Sequence, residues 1–327
     1  MQQFDVKNAF LHGKIEEEIY MELPPRYGEK TATNIVCKLK KALYGLKQSP
    51  RAWFGRFTKV MMSLGFKQSQ GDHTLFIKHY KSRGVTVLLV YVDDIIVTGD
   101  DEEEQKLLSQ HLTKNFEIKT LGKLKYFLGI EVTHSKKGIF ISQQKYITDL
   151  LKETGKTTCK HANTPIDPNL KLGNAKEDIA VDKEMYQRLV GRLIYLSHTR
   201  PDVAFAVSLV SQFMHQPKEI HLQAVLRIVQ YLKGTPGRGI LFERNGNANL
   251  EAYTDADYAG SIVDRRLTTG YCTFLGGNLV TWRSKKQNVV ARSSAKAEFR
   301  AMAQGICELL WLKIILEDLR IKLETLL

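Results

Sequence analysis

Residues 85–101 read VTVLLVYVDDIIVTGDD, two adjacent aspartates set inside a run made almost wholly of valine, leucine and isoleucine. A β-branched, apolar stretch of this kind reads as buried strand, and an unpaired carboxylate is costly to bury. The run must therefore turn at the aspartates, giving a hairpin of strands 85–92 and 95–98 with Asp93 and Asp94 at its tip. Two readings are open from this stretch alone. The aspartates are turn formers, or the tip holds a metal ion.

The chain has 327 residues, 43% of them hydrophobic, which is enough for two or three domains with folded cores. No run of about 18 uncharged apolar residues occurs and the N-terminus MQQFDVKNAF lacks a signal-peptide pattern, so a soluble, intracellular protein, cytoplasmic or nuclear, with no membrane partner is expected. The four cysteines (Cys37, Cys159, Cys272, Cys307) are far apart and are read as reduced, mostly buried thiols. A formal charge of +13 favours a polyanionic partner, although surface lysines also serve solubility. The stretch TGKTT (154–158) imitates a phosphate-binding loop, but Leu150 stands where that loop needs glycine.

Three segments follow from patterning. Residues 1–150 mix elements: a helix from near Pro50 with Trp53, Phe57, Val60, Met61 and Leu64 at helical spacing, the hairpin, a helix over 101–116 with Leu107, Leu108 and Leu112 inward, and two strands within 127–146. Residues 159–178 are polar, contain Pro165 and Pro168, and read as a linker inside a helical segment, 151–238. From 239 to 327 short strands, NVVARSS (288–294) among them, precede a helix at about 294–316.

A third acid comes from QFDVKNAFLHG (3–13), where Asp5 follows an apolar residue on a strand leading into a turn. Carboxylates on adjacent strands can hold two divalent cations about 4 Å apart, the arrangement that activates a hydroxyl and steadies a leaving phosphate. The order FDVKNAFLHG, LYGLKQSPRAW, YVDD, FLGIEV resembles the palm of reverse transcriptases, specifically those of Ty1/copia retrotransposon polyproteins. The resemblance continues through RPDVAFAVSLVSQFM, YLKGT, YTDADYAG and WRSKKQNVVARSSAKAEFRA.

That resemblance implies an α+β fold: a palm with an antiparallel sheet and catalytic hairpin, a helical thumb or connection region, and an incomplete ribonuclease H-like mixed α/β domain. It implies RNA-directed DNA polymerisation with Mg²⁺ or Mn²⁺ held by Asp5, Asp93, Asp94 and the Val6 carbonyl, acting on an RNA template, a DNA primer and dNTPs. Phe10 would pack under the incoming sugar, with simple core packing as its other reading. Tyr44, Gly45 and Lys47 would line the nucleotide pocket, and Leu128 and Gly129 would form the primer grip. Lys119, Lys123 and Lys125 are alternative donors of a proton to pyrophosphate. Asp255 and Glu298 match the first two metal-binding acids of ribonuclease H, with Asp257 either assisting or forming a turn, and the basic tract 283–286 would suit the phosphates of an RNA/DNA hybrid.

Relative to that family the chain starts at the first palm motif and stops before a third ribonuclease H acid. A truncated or degenerate copy is therefore expected, with weak or absent polymerase activity and no ribonuclease H activity. The competing expectation is a non-catalytic nucleic-acid-binding remnant, whose oligomeric state the sequence leaves open.

Overall fold

The computed structural model describes residues 1–24, 35–80, 84–170, 172–173, 181–261 and 263–324. Helices mix with sheets in which every described strand pair is antiparallel. The chain divides into two compact units: Met1–Leu124 with Ile314–Arg320, and a second built on Lys125–Lys313.

In the first unit the elements run β1 (Gln2–Val6), a 3₁₀ turn (Ala9–His12), β2 (Tyr20–Glu22), β3 (Val36–Lys38), α1 (Ser49–Ser63), β4 (Lys67–Gln68), β5 (Leu75–His79), β6 (Val85–Tyr91), β7 (Asp94–Gly99), α2 (Glu102–Asn115) and β8 (Ile118–Lys123). Six strands form one sheet in the order β4-β5-β6-β7-β1-β8, while β2 and β3 pair separately. Pro50 sits in the first turn of α1, where its missing N–H is not needed. Asp101 caps α2 by accepting from the Glu104 N–H, and three glutamates follow at the positive end of the helix. Both helices cover one face of the sheet. Trp53, Phe57 and Met61 of α1 and Leu108 and Leu112 of α2 meet Phe4, Val6, Phe76, Leu88, Ile95 and Val97 in a common core. Each such side chain contributes roughly 1.5–3 kcal/mol by leaving water.

The structure corrects the sequence reading in two places here. Tyr91 pairs with Asp94, so the two-residue turn is Val92–Asp93 and Asp94 already belongs to β7. Leu107 is 49% exposed, because the buried stripe of α2 runs through Gln105, Leu108 and Leu112 and Leu107 lies off it.

The second unit continues with β9 (Tyr126–Phe127), β10 (Ile130–His134), β11 (Gly138–Ser142), α3 (Gln144–Glu153), α4 (Lys183–Leu196), α5 (Pro201–Ser211), α6 (Glu219–Gly234), β12 (Ile240–Glu243), β13 (Leu250–Asp257), β14 (Thr268–Leu275), β15 (Asn278–Lys286) and α7 (Ser294–Asp318), whose residues from Ile314 on count with the first unit. Strand β12 closes a sheet ordered β12-β11-β10-β9 and so pairs with the strands before the helices, whereas β13, β14 and β15 form a three-stranded meander. Residues 289–294 are not a strand, and Val289 and Val290 are exposed despite their β propensity. Residues 159–170 carry no helix or strand, yet Ala162, Ile166 and Leu170 pack against the helical core rather than spanning freely between segments, while 171 and 174–178 of that stretch lie outside the described residues. The cysteines are free thiols; Cys37, Cys159 and Cys272 are half-buried and Cys307 is exposed, so the expected burial does not hold. Among the described residues no helix is long and apolar enough to cross a membrane.

Helices α3 to α6 share a core that includes Ile147, Leu150, Leu193, Val207, Ile228 and Leu232. One polar lock ties its ends together. Arg200, fully buried, donates twice to the Asp202 carboxylate at 2.8 Å and also reaches Thr235 through its carbonyl at 2.9 Å and its hydroxyl at 2.7 Å. The Tyr231 hydroxyl donates to Asp202 at 2.7 Å, and Arg238 adds a longer contact at 3.2 Å. The RPD and YLKGT segments are thus two halves of one network, which accounts for both as structural motifs.

Burial pushes the Asp202 carboxyl up, but hydrogen bonds from Arg200 and Tyr231 and the Arg200 charge outweigh it, so the net shift is downward. A depressed carboxylate stabilises the fold above its unfolded pKa, near 3.9, and that contribution is lost as pH falls through the lower folded value. Asp202→Asn should therefore lower stability at neutral pH by about 3 kcal/mol, since it leaves a buried guanidinium without its counter-charge. Denaturant titrations at several pH values check this: the deficit should persist from pH 7 to 5 and shrink below about pH 4.

Candidate active site

The face of the six-stranded sheet opposite α1 and α2 carries the acids. Side chains alternate along a strand, so Phe4 and Val6 enter the core while Gln3 and Asp5 point to the other face. Along β7, Ile95 and Val97 are buried and Asp94 shares the face of Asp5. The two aspartates are direct partners in the β1–β7 ladder. The Val6 N–H donates to the Asp93 carbonyl at 2.8 Å, fixing the turn against the end of β1. On the other side of β1, Lys119 is the ladder partner of Asp5. Asp94, Asp5 and Lys119 therefore form a row across three strands. Lys123 pairs with Gln2 instead, and Lys125 belongs to the second unit.

Asp5, Asp93 and Asp94 are half-buried. Burial, reinforced by the charges of Asp93 and Asp5, pushes the Asp94 carboxyl up, while the Gln3 amide, donating to Asp94 Oδ1 at 3.1 Å, opposes the shift. Among the described residues no three His, Cys, Asp or Glu side chains stand as an ion-binding cluster. The β1–β7 ladder nonetheless makes Asp5 and Asp94 neighbours, and their donor chemistry fits a divalent cation: hard oxygens, with mutual repulsion that a bound cation would relieve.

The turn itself is strained. Val92 has φ 53°, a left-handed conformation that a β-branched residue rarely adopts and that a hairpin of this kind normally gives to glycine. The Trp53 indole N–H donates to the Val92 carbonyl at 2.7 Å and so braces the turn from α1. Glycine is needed at position 13 for a different reason: a Cβ there would lie 2.8 Å from the Trp53 backbone nitrogen. Close approach of the first motif to α1 is what places the Trp53 ring under the hairpin.

Phe10 and Tyr44 are in ring contact, with centroids 4.8 Å apart. Phe10 is half-buried and packs at the margin of the core, whereas Tyr44 is 56% exposed. Gly45, at φ 90°, has no atom within 4 Å of where a Cβ would stand, and Lys47 is exposed beside it. These residues form an open polar and aromatic surface in the first unit.

In the second unit, Leu128 (φ 48°) and Gly129 (φ 81°) are the central residues of the turn joining β9 to β10, a type I′ pattern. The Tyr195 hydroxyl of α4 donates to the Leu128 carbonyl. Trp53 and Tyr195 were not apparent as functional residues from sequence: each braces a turn through a hydrogen bond to a left-handed, non-glycine residue, and no spacing rule announces such a contact.

Asp255 lies on β13 and Glu298 early in α7, and both are exposed. Ala256, next to Asp255, packs against a cluster containing Ala297, next to Glu298. The backbones therefore meet at one corner. Alternation nonetheless puts Asp255 on the face away from α7, since its neighbour Thr254 is the residue that faces Gly305 of the helix. Asp257 folds back on Gly260, which fits a turn role. Within the basic tract, Lys286 is engaged by Asp264 at 2.9 Å.

Comparison with known proteins identifies the family. A family model described as reverse transcriptase (RNA-dependent DNA polymerase) matches residues 1–168. The retrovirus-related Pol polyprotein from transposon RE1 of Arabidopsis thaliana is 43% identical over 323 residues, covering 99% of this chain and 22% of that protein. The Pol polyprotein from transposon TNT 1-94 of Nicotiana tabacum is 38% identical over 328 residues, 98% of this chain and 25% of that protein. A putative transposon Ty5-1 protein of Saccharomyces cerevisiae is 33% identical over 309 residues and is covered along 100% of its length. The chain thus spans about a quarter or less of the two plant polyproteins. It belongs to the reverse transcriptase (RNA-dependent DNA polymerase) family, and nearly its whole length is similar to one region of Ty1/copia-type Pol polyproteins.

Proposed function

We propose that residues 1–150 act as the palm of an RNA-directed DNA polymerase, joining a dNTP to a DNA primer on an RNA template. The observation that carries this reading is the pairing of Asp5 with Asp94 across β1 and β7, with Asp93 tied to Val6 at the adjoining turn. Asp5, Asp93 and Asp94, with the Val6 carbonyl, would hold Mg²⁺ or Mn²⁺, which supplies activation of the primer hydroxyl and stabilisation of the leaving phosphate. Phe10 and Tyr44 form the aromatic floor for the incoming nucleotide, Phe10 acting against a 2′-hydroxyl. Gly45 leaves the backbone open to close approach, and Lys47 offers charge to the phosphates. Lys119 is the lysine favoured as proton donor to pyrophosphate, since its ladder position is beside Asp5.

In the same reading Leu128 and Gly129 hold the primer end, residues 151–238 form a thumb or connection region, and 239–327 form a ribonuclease H-like segment that does not cleave an RNA/DNA hybrid, a view supported by Asp255 facing away from the helix that carries Glu298. The net charge of +13 supports a nucleic-acid partner throughout.

Primer extension on poly(rA)/oligo(dT) with Mg²⁺ or Mn²⁺, run beside a salt-dependent binding assay, tests the reading. Asp94→Asn and Asp5→Asn should each reduce extension at least about a hundredfold with binding retained. Binding by the unaltered chain without any extension would instead select a non-catalytic nucleic-acid-binding role. For Phe10→Ala, ribonucleotide incorporation should rise relative to deoxynucleotide incorporation; equal losses of both would make Phe10 a core residue only.

A further inference from the structure

Gln3 is a polar side chain only 7% exposed on the acid-bearing face of the sheet. It precedes Asp5 by two residues, so the two share that face, and its ladder partners are Ile96 and Gly122, neither of which has a polar side chain. Its amide reaches diagonally to Asp94 Oδ1 at 3.1 Å. A register shift in β8, just beyond Gln3, leaves Leu121 outside the ladder and puts Gly122, with no side chain, beside Gln3.

We propose that Gln3 is a positioning residue for Asp94, an inference that rests on the metal-binding reading of the aspartates. An ionised carboxylate offers about four lone-pair sites, and a single amide donor on Oδ1 restrains the carboxylate while leaving Oδ2 for a cation. The residue type matters. A lysine in this place would neutralise Asp94 and compete with the cation, a glutamate would add a fourth negative charge, and an apolar residue would leave the carboxylate free to rotate. A neutral donor restrains without changing the charge of the site, the role that outer partners of metal-ligating carboxylates generally fill.

The test uses the full chain without nucleic acid. Mn²⁺ binding is followed by electron paramagnetic resonance for the unaltered protein, Gln3→Met and Asp94→Asn, with thermal melts of each. Gln3→Met, similar in volume but without a donor, should bind Mn²⁺ about tenfold more weakly while melting within a few degrees of the unaltered protein. Binding as tight as in the unaltered protein, with Asp94→Asn still defective, would overturn the role of Gln3 and leave the metal reading standing. Absence of saturable Mn²⁺ binding in the unaltered protein would overturn both. If Gln3→Met fails to fold, the side-chain amide resonance of Gln3 decides: it should shift in Asp94→Asn, and an unmoved resonance would refute the contact.

Discussion

The pairing of β1 with β7 is the constraint on which the first unit depends. It buries Phe4 and Val6 against α1 and α2 and, by the same alternation, turns Asp5 and Asp94 to the opposite face. A slip of one residue would exchange these sets, putting Asp5 into the core and Phe4 and Val6 into water. Core packing therefore fixes the position of the acids without any interaction between the acids themselves. This matters because like charges repel, and something other than attraction must hold them together.

Strain is handled in the same way in both units. Val92 and Leu128 occupy left-handed conformations that cost of order 1–3 kcal/mol for residues of their kind, and each is exposed at a turn. In each case a hydrogen bond from an aromatic side chain on a helix, Trp53 or Tyr195, reaches the strained residue's carbonyl. The helices are anchored by their own apolar faces, so the turns are braced from rigid elements. The Arg200–Asp202–Thr235 network does a related task for α5 and α6, fixing the start of one helix to the end of the other.

Much of this was legible beforehand. The hairpin, α1 and α2 are carried by periodicity, with Pro50 opening α1 and Asp101 capping α2, and Asp5, Asp93 and Asp94 stand out because charge interrupts apolar strands. The turn was misplaced by one residue because Asp is a better turn former than Val, and only tertiary contact with Trp53 makes Val92 acceptable there. Strand β12 read as the start of a new segment because its partner β11 lies about a hundred residues earlier in the sequence, beyond the reach of local pattern. Gln3 gave no signal: a glutamine beside a strand aspartate is ordinary until its amide is seen to meet the second carboxylate.

The most direct test of the central claim is a crystal structure of the chain grown with Mn²⁺, read by anomalous scattering. The account predicts a peak on the acid-bearing face of the sheet, with oxygens of Asp5 and Asp94 at about 2.1 Å from the ion and Asp93 close by. A well-ordered β1–β7 ladder with Mn²⁺ bound elsewhere, or with no peak near either carboxylate, would contradict it.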